Sequence, residues 1–266
     1  MAGLFQVLHG KEDGTFRRAE VLKGTDGEPL IIPLNGRNMT ENICTRPFAI
    51  DWDGDGHLDL VVGTFAGTFY LFKGQGQGKF PPVPEEIKAD GQPLKVGGYH
   101  SDPFVIDWDG DGDLDLMSGS SEGGVQWAEN RGAPGRPPQL KPFRSLIDPG
   151  PKVEYGQILL DADLKGPSSS TRIWVDDVNS DGKLDILVGD MTRLVSPADG
   201  LTEGEFKQKF ADWMKARGEF GKELTLVAND PKKREEAQGR FQELYQKRSE
   251  FMKEDTTGFV WLYLRK

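Results

Sequence analysis

Short apolar runs separated by polar, glycine-rich turns account for most of the chain. Pro47-Phe48-Ala49-Ile50 leads into an Asp- and Gly-rich stretch, Leu58-Asp59-Leu60-Val61-Val62-Gly63 follows it, and Gly67-Thr68-Phe69-Tyr70-Leu71-Phe72-Lys73-Gly74 comes next. Runs of this length bounded by Gly and Asp predict β-strands. The N-terminus carries the same element, because Gly3-Leu4-Phe5-Gln6-Val7-Leu8-His9-Gly10 into Lys11-Glu12-Asp13-Gly14-Thr15-Phe16 matches Gly67 to Phe80 at a constant offset of 64 residues. Gly124-Val125-Gln126-Trp127 and Gly258-Phe259-Val260-Trp261-Leu262-Tyr263 begin it twice more. With 34 Gly and 17 Pro, turns are frequent, and the expected fold class is all-β.

One segment has a different period. Thr202-Glu203-Gly204-Glu205 has the form of a capping box, and Phe206, Phe210, Trp213 and Met214 follow at helical spacing. Asp230-Pro231 is a second helix start, with Phe241, Leu244, Tyr245, Phe251 and Met252 expected on one face. In the first repeat only Thr64-Phe65-Ala66 lie between Gly63 and Gly67, whereas the corresponding glycines here are Gly189 and Gly258. An antiparallel helical hairpin inserted over residues 191–257 is therefore expected, with repeats over 1–190 and 258–266.

The stretch between the first two strands recurs. Asp51-Trp52-Asp53-Gly54-Asp55-Gly56-His57-Leu58-Asp59 returns as Asp107-Trp108-Asp109-Gly110-Asp111-Gly112-Asp113-Leu114-Asp115 and as Asp177-Val178-Asn179-Ser180-Asp181-Gly182-Lys183-Leu184-Asp185, with start-to-start spacings of 56 and 70. Each nonapeptide places side-chain oxygens at positions 1, 3, 5 and 9, and a Gly at position 6 where a sharp turn needs positive φ. Calcium takes six to eight hard oxygens at about 2.3–2.6 Å in a flexible shell. The expected side-chain ligands are Asp51, Asp53, Asp55 and Asp59; Asp107, Asp109, Asp111 and Asp115; and Asp177, Asn179, Asp181 and Asp185. The carbonyls of His57, Asp113 and Lys183 complete the shells of about three ions. The plain alternative is a set of polar turns, but four carboxylates crowded together repel one another unless a cation sits between them. Magnesium prefers a stricter octahedron with several waters.

An EF-hand opens with the same D-x-D-x-D-G, yet it needs a Glu at position 12 and flanking helices. Position 12 here is Val62, Ser118 and Val188, and the flanks read as strands. The D-x-D-G-D-G-x-x-D-L-x-x-G pattern resembles the FG-GAP or VCBS repeat of bacterial surface proteins and of the integrin α-subunit propeller. That resemblance implies calcium-bearing four-stranded blades, usually seven to a ring, on secreted, periplasmic or cell-surface proteins. Counting strands gives a partial β-propeller of about three and a half blades: two strands, two full blades, and a blade lacking its last strand. The expected completion is further chain in a longer parent protein or a second chain that completes the propeller.

The remaining composition narrows the function. Residues 202–255 hold 12 acids and 12 bases, so the whole formal excess of −10 lies elsewhere, much of it in the three loops. An acidic chain is poorly suited to nucleic acid, and no apolar run reaches the length of a membrane span. Cys44 is the single cysteine, expected as a small buried residue, so no internal disulfide stiffens the fold. His9, His57 and His100 show no metal-ligand spacing. Gly119-Ser120-Ser121-Glu122-Gly123 satisfies G-x-S-x-G but falls on a strand-to-strand turn, where a nucleophile elbow does not form. Trp127 and Trp261 are expected between blades, Trp52 and Trp108 inside the loops are the better candidates for exposure, and residues 132–138 read as a loop. These features point to a calcium-stabilised extracellular scaffold that binds or adheres to a protein or carbohydrate ligand, without catalysis. A second reading is the propeller portion of a secreted polysaccharide lyase or hydrolase, for which no acid/base pair stands outside the loops.

Overall fold

The computed structural model describes residues 3–34, 42–133, 136–150, 152–227 and 229–266, and it contains two compact units. The first comprises Met1–Pro151, Gly166–Met191 and Gly258–Lys266. It is built from antiparallel sheets in chain order. Strands β1 (Gln6–Val7) and β2 (Glu20–Val21) pair as a two-stranded sheet. Strands β3 (Arg46–Ile50), β4 (Asp59–Gly63), β5 (Phe69–Phe72) and β6 (Glu85–Glu86) form a four-stranded meander, and β7 (Lys88–Ala89) with β8 (Gln92–Pro93) makes a small hairpin. A second meander runs through β9 (Asp102–Ile106), β10 (Asp115–Gly119), β11 (Val125–Ala128) and β12 (Arg144–Ile147). The third sheet joins β13 (Ser169–Asp176) to the first part of β14 (Asp185–Pro197), which also pairs β16 (Val260–Tyr263). Two complete blades, two strands of one before them and three strands of one after them match the count expected from the repeats.

The hydrophobic pattern explains why the sheets occur as a series. Strands β4 and β10 are buried at every position, so each needs an apolar neighbour on both faces. On β4, Val61 points to a core shared with Val105 and Leu116, while Leu60 and Val62 point to one with Phe5, Leu30 and Ile32. On β10, Leu116 and Met117 divide in the same way between two cores, the second of which holds Ile173, Val175, Ile186 and Val188. Alternation with period two thus serves two interfaces at once. On the third sheet only one face is covered: Trp174, Val260 and Leu262 on the other are 57%, 74% and 49% exposed.

A hydroxyl clasp joins each full blade to the sheet after it. The Thr64 amide donates to Ser101 Oγ (2.8 Å) and the Ser101 amide to the Thr64 carbonyl, while Ser101 Oγ donates to the Thr68 carbonyl (2.8 Å). One repeat later Thr171 plays the part of Ser101: the Ser120 amide donates to its Oγ1 (2.9 Å), which donates in turn to the Gly124 carbonyl (2.9 Å). The clasp requires glycine at the end of the second strand. A Cβ on Gly63 would meet the Ser101 carbonyl, and one on Gly119 the Thr171 carbonyl.

The second unit comprises Lys152–Lys165 and Thr192–Thr257. Helix α1 (Glu203–Leu226) starts at the expected box, with the Glu205 amide donating to Thr202 Oγ1 (3.3 Å) and the Thr202 amide to Glu205 Oε2 (2.8 Å). Helix α2 (Pro231–Gln246) has Asp230 as its N-cap and Pro231 in the first turn, and it packs antiparallel to α1. Phe206 and Trp213 are buried, and Trp213 Nε1 donates to the Leu244 carbonyl (2.8 Å).

Two expectations about this segment are corrected. Phe251 and Met252 are not on a helical face, because α2 ends at Gln246 and β15 (Met252–Thr257) pairs with the later part of β14 over Thr192–Pro197. The connection is therefore a strand pair carrying a helix pair. The unit also takes in residues 152–165, which the sequence assigns to the repeats: Tyr155 packs on Phe210 and Trp213, and Leu159 bridges Val195. These apolar residues cover the aromatic side of α1, a contact too distant in sequence to show as local periodicity. No described helix is long and apolar enough to cross a membrane.

Gly63→Ala or Gly119→Ala should destabilise the protein by about 2 kcal/mol through the clash with the following backbone. Gly189→Ala should cost clearly less, since its nearest such atom, the Arg172 carbonyl, is 4.0 Å away. Urea denaturation of the three variants gives the comparison.

Candidate metal centres

Each nonapeptide joins the first and second strands of a sheet, and its own side chains build its turn. Asp51 accepts the Asp55 amide on Oδ1 (3.1 Å) and the Gly56 amide on Oδ2 (2.9 Å). Asp107 accepts Gly110 (2.8 Å) and Gly112 (3.0 Å), and Asp177 accepts Asp181 (3.0 Å) and Gly182 (2.8 Å). Positions 3 and 5 each accept the amide two residues on, as Asp53, Asp109 and Asn179 and then Asp55, Asp111 and Asp181 show. These Asx turns curl the backbone so that alternate side chains converge. Positive φ is needed at position 4 as well as position 6: Gly54 and Gly110 supply it in the first two loops, but the third places Ser180 at φ 60°.

The ninth residue has a role that spacing did not reveal. Asp59 is 1% exposed, and Asp115 and Asp185 are fully buried. In each, Oδ2 accepts the amide of loop position 2 (Trp52 at 3.2 Å, Trp108 at 3.1 Å, Val178 at 3.1 Å). Oδ1 accepts an amide just beyond the third strand (Gly74 at 2.7 Å, Asn130 at 2.7 Å, Arg265 at 2.9 Å). One carboxylate thus ties the loop to two non-adjacent stretches of its own blade. Burial pushes the Asp115 carboxyl up to about 6, against the two amides that pull it down, and burial raises Asp59 in the same direction.

Carboxylates converge in the first two loops. One oxygen from each of Asp51, Asp53 and Asp59 lies within 4.8 Å of the others, and so do oxygens of Asp107, Asp109 and Asp111. Asp55 and Asp115 fall outside these groups, and the third loop forms no such group of three among the described residues. There the Asn179 amide nitrogen donates to Asp181 Oδ2 (3.2 Å), so position 3 offers a donor where the other loops offer a charge.

Two observations show that the first two sites fit a cation. The Lys73 ammonium lies against Asp53 and 3.8 Å from Asp55, a positive group drawn into the first cluster, and its own ionisation is raised chiefly by the Asp53 hydrogen bond. In the second loop the structurally equivalent residue is Glu129, and Asp113 Oδ1 is buried with no hydrogen-bond partner. Burial and the neighbouring Asp111, Asp109 and Asp107 charges raise Asp113, so this loop has unmet demand for positive charge. Asp51, Asp53 and Asp59 would hold an ion in the first loop, and Asp107, Asp109 and Asp111 in the second. His57 and Lys183 present exposed side chains.

Other expected features are placed differently. Trp52 and Trp108, the better candidates for exposure among the tryptophans, are buried at 4% and 7% exposure. Trp52 Nε1 donates to the Leu114 carbonyl of the next loop (3.0 Å), and Arg265 lies over the Trp108 ring at 4.6 Å while donating to its carbonyl (2.7 Å). The tryptophans therefore link successive loops. Cys44 is exposed at φ 51°, not buried, because it sits in the turn before β3. Ser121 Oγ accepts the Tyr99 amide (2.8 Å) on the turn between β10 and β11. Part of the 132–138 loop lies outside the described residues.

Repeated four-stranded antiparallel sheets with acidic corners define a propeller-type repeat protein. The FG-GAP-like repeat family matches residues 51–118 and 107–188, together just over half of the chain, and the protein belongs to that family. Neither curated proteins nor solved structures yield a match.

Two outcomes follow from this geometry. Ser180→Gly should stabilise the protein by about 0.5–1 kcal/mol by relieving a left-handed serine, as read from denaturation midpoints. Asp115 releases its proton near 3.8 when unfolded and near 6 when folded, so the stability it contributes is full below 3.8 and lost as pH rises through 6. Asp59 and Asp113 shift in the same direction. In chelator, the melting temperature should therefore fall between pH 5 and pH 7; a rise across that window would contradict it.

Proposed function

We propose that the protein is a calcium-stabilised extracellular propeller scaffold that binds a protein or carbohydrate ligand and catalyses nothing itself. The observation that carries this reading is the convergence of three carboxylates at the same corner of two successive blades. Calcium suits them better than magnesium because the oxygens belong to a short, flexible turn that imposes no octahedron. A site that binds the folded loop and hardly binds the unfolded chain contributes about 2.7 kcal/mol when free calcium is 100 times its dissociation constant. Extracellular modules bind calcium at about 10⁻⁴ to 10⁻³ M, so this stabilisation belongs outside the cytoplasm, where calcium can do what disulfides do elsewhere.

A cavity of about 450 Å³ beside the first loop supports a binding role. Phe5, Leu22, Leu60 and Phe80 line it, and loop residues Gly56, His57 and Leu58 form part of its wall. An ion that stiffens the loop would stiffen that wall as well. The carboxylates of the loops are committed to their turns.

Calcium added to chelator-treated protein should raise the melting temperature by many degrees, and titration calorimetry should show saturable binding. Asp107→Asn combined with Asp109→Asn should remove one binding step and leave the first loop's. A melt that is identical in chelator and in millimolar calcium would end the reading.

A further inference from the structure

The first strands of three successive sheets begin with charged residues at one repeat position. Arg46, Asp102 and Arg172 each stand five residues before a loop, at the start of β3, at the start of β9 and within β13. These strands lie side by side, β9 touching both β3 and β13, which places the three side chains in a row. Both guanidiniums approach a single oxygen, Asp102 Oδ1, Arg46 Nη1 at 3.5 Å and Arg172 Nη1 at 3.6 Å. At those separations the contacts are charge pairs rather than short bidentate forks.

This row is short of acceptors for one guanidinium: Arg46 Nη1 is buried and makes no hydrogen bond, and Nδ1 of His100, two residues before Asp102, is buried beside it without a hydrogen-bond partner. A buried guanidinium donor without an acceptor is costly, and one carboxylate cannot neutralise two guanidiniums. Burial favours the neutral imidazole of His100, and the field of Arg46 and Arg172 adds to it. His100 is held at φ 59° with its ring 4.4 Å from that of Phe65, which also lies 5.7 Å from the half-exposed Tyr99. The row thus combines surplus positive charge, an unmet guanidinium donor and an aromatic border, at the end of the first strands opposite the acidic loops.

We propose that Arg46 and Arg172, flanking Asp102, form a binding site for an oxyanionic group, a carboxylate or phosphate carried by the ligand. Arg172, which is 62% exposed at its side chain, is the arm that reaches an incoming ligand, and a ligand oxygen against it adds the negative charge that Asp102 alone does not supply to the pair. Asp102 holds both arginines at one place and offsets part of their charge. The site adds a ligand chemistry to the scaffold reading but does not depend on calcium.

The probes are sodium acetate in millimolar calcium and inorganic phosphate in chelator, each compared with chloride at matched ionic strength by thermal shift and calorimetry. The expected result is saturable millimolar binding of one or both anions. Arg172→Gln should weaken it about fivefold or more, the loss of roughly one charge-assisted hydrogen bond, while Arg193→Gln leaves it unchanged as a control for net charge. Anion effects equal to those of chloride would overturn the proposal. So would an Arg172→Gln response equal to wild type, or an equal loss in Arg193→Gln. The acetate arm decides the question if chelation unfolds the protein, and binding without any calcium response would separate this site from the calcium reading.

Discussion

The structure depends on one buried carboxylate per blade. Asp59, Asp115 and Asp185 each take an amide from the loop on one oxygen and an amide from beyond the third strand on the other. Because the carboxylate is inside, losing either partner would leave a charge without its compensation, a costly state. The loop, the second strand and the end of the third strand are consequently fixed as one unit before any ion is considered. The convergence of Asp51 and Asp53 on Asp59 rests on that anchor, and so does the metal chemistry that the convergence permits.

The same economy recurs between blades. Both faces of β4 and β10 are buried, so each of these two blades relies on a neighbour on each side. Hydroxyls at Ser101 and Thr171 bind the turn of the blade before, and Trp52 and Arg265 bind one loop to another. Apolar packing supplies most of the stabilisation in such an arrangement, and the hydrogen bonds fix its register. The glycines at positions 63 and 119 are there because the next blade's backbone arrives where a side chain would stand.

Much of the site was legible beforehand because the loop is local. Nine consecutive residues contain both the turn formers and the oxygens, and a repeat at 56 and 70 residues displays the same solution three times. The departures are equally physical. Ser180 and Asn179 give the third loop a strained turn and an internal donor, so it does not gather three carboxylates as the others do. Trp52 and Trp108 sit among Asp and Gly, which makes them the candidates for exposure, yet contacts with residues many positions away bury them. A signal for the clasp was present in Ser101 and Thr171, each six residues before a loop, but such hydroxyls carry no evident meaning until the turn they grip is known.

By itself the sequence determined the strands of the repeats, the loops, the helix starts at Thr202 and Asp230, and the order of the four-stranded units, since each is encoded within a few neighbouring residues as periodicity, capping or turn chemistry. Tertiary structure alone decided which carboxylates meet, that the ninth aspartate is buried, that residues 152–165 cover α1, and that Arg46, Asp102 and Arg172 share one row. Those outcomes depend on distances between residues far apart in the chain, which only the packing of one sheet on another sets.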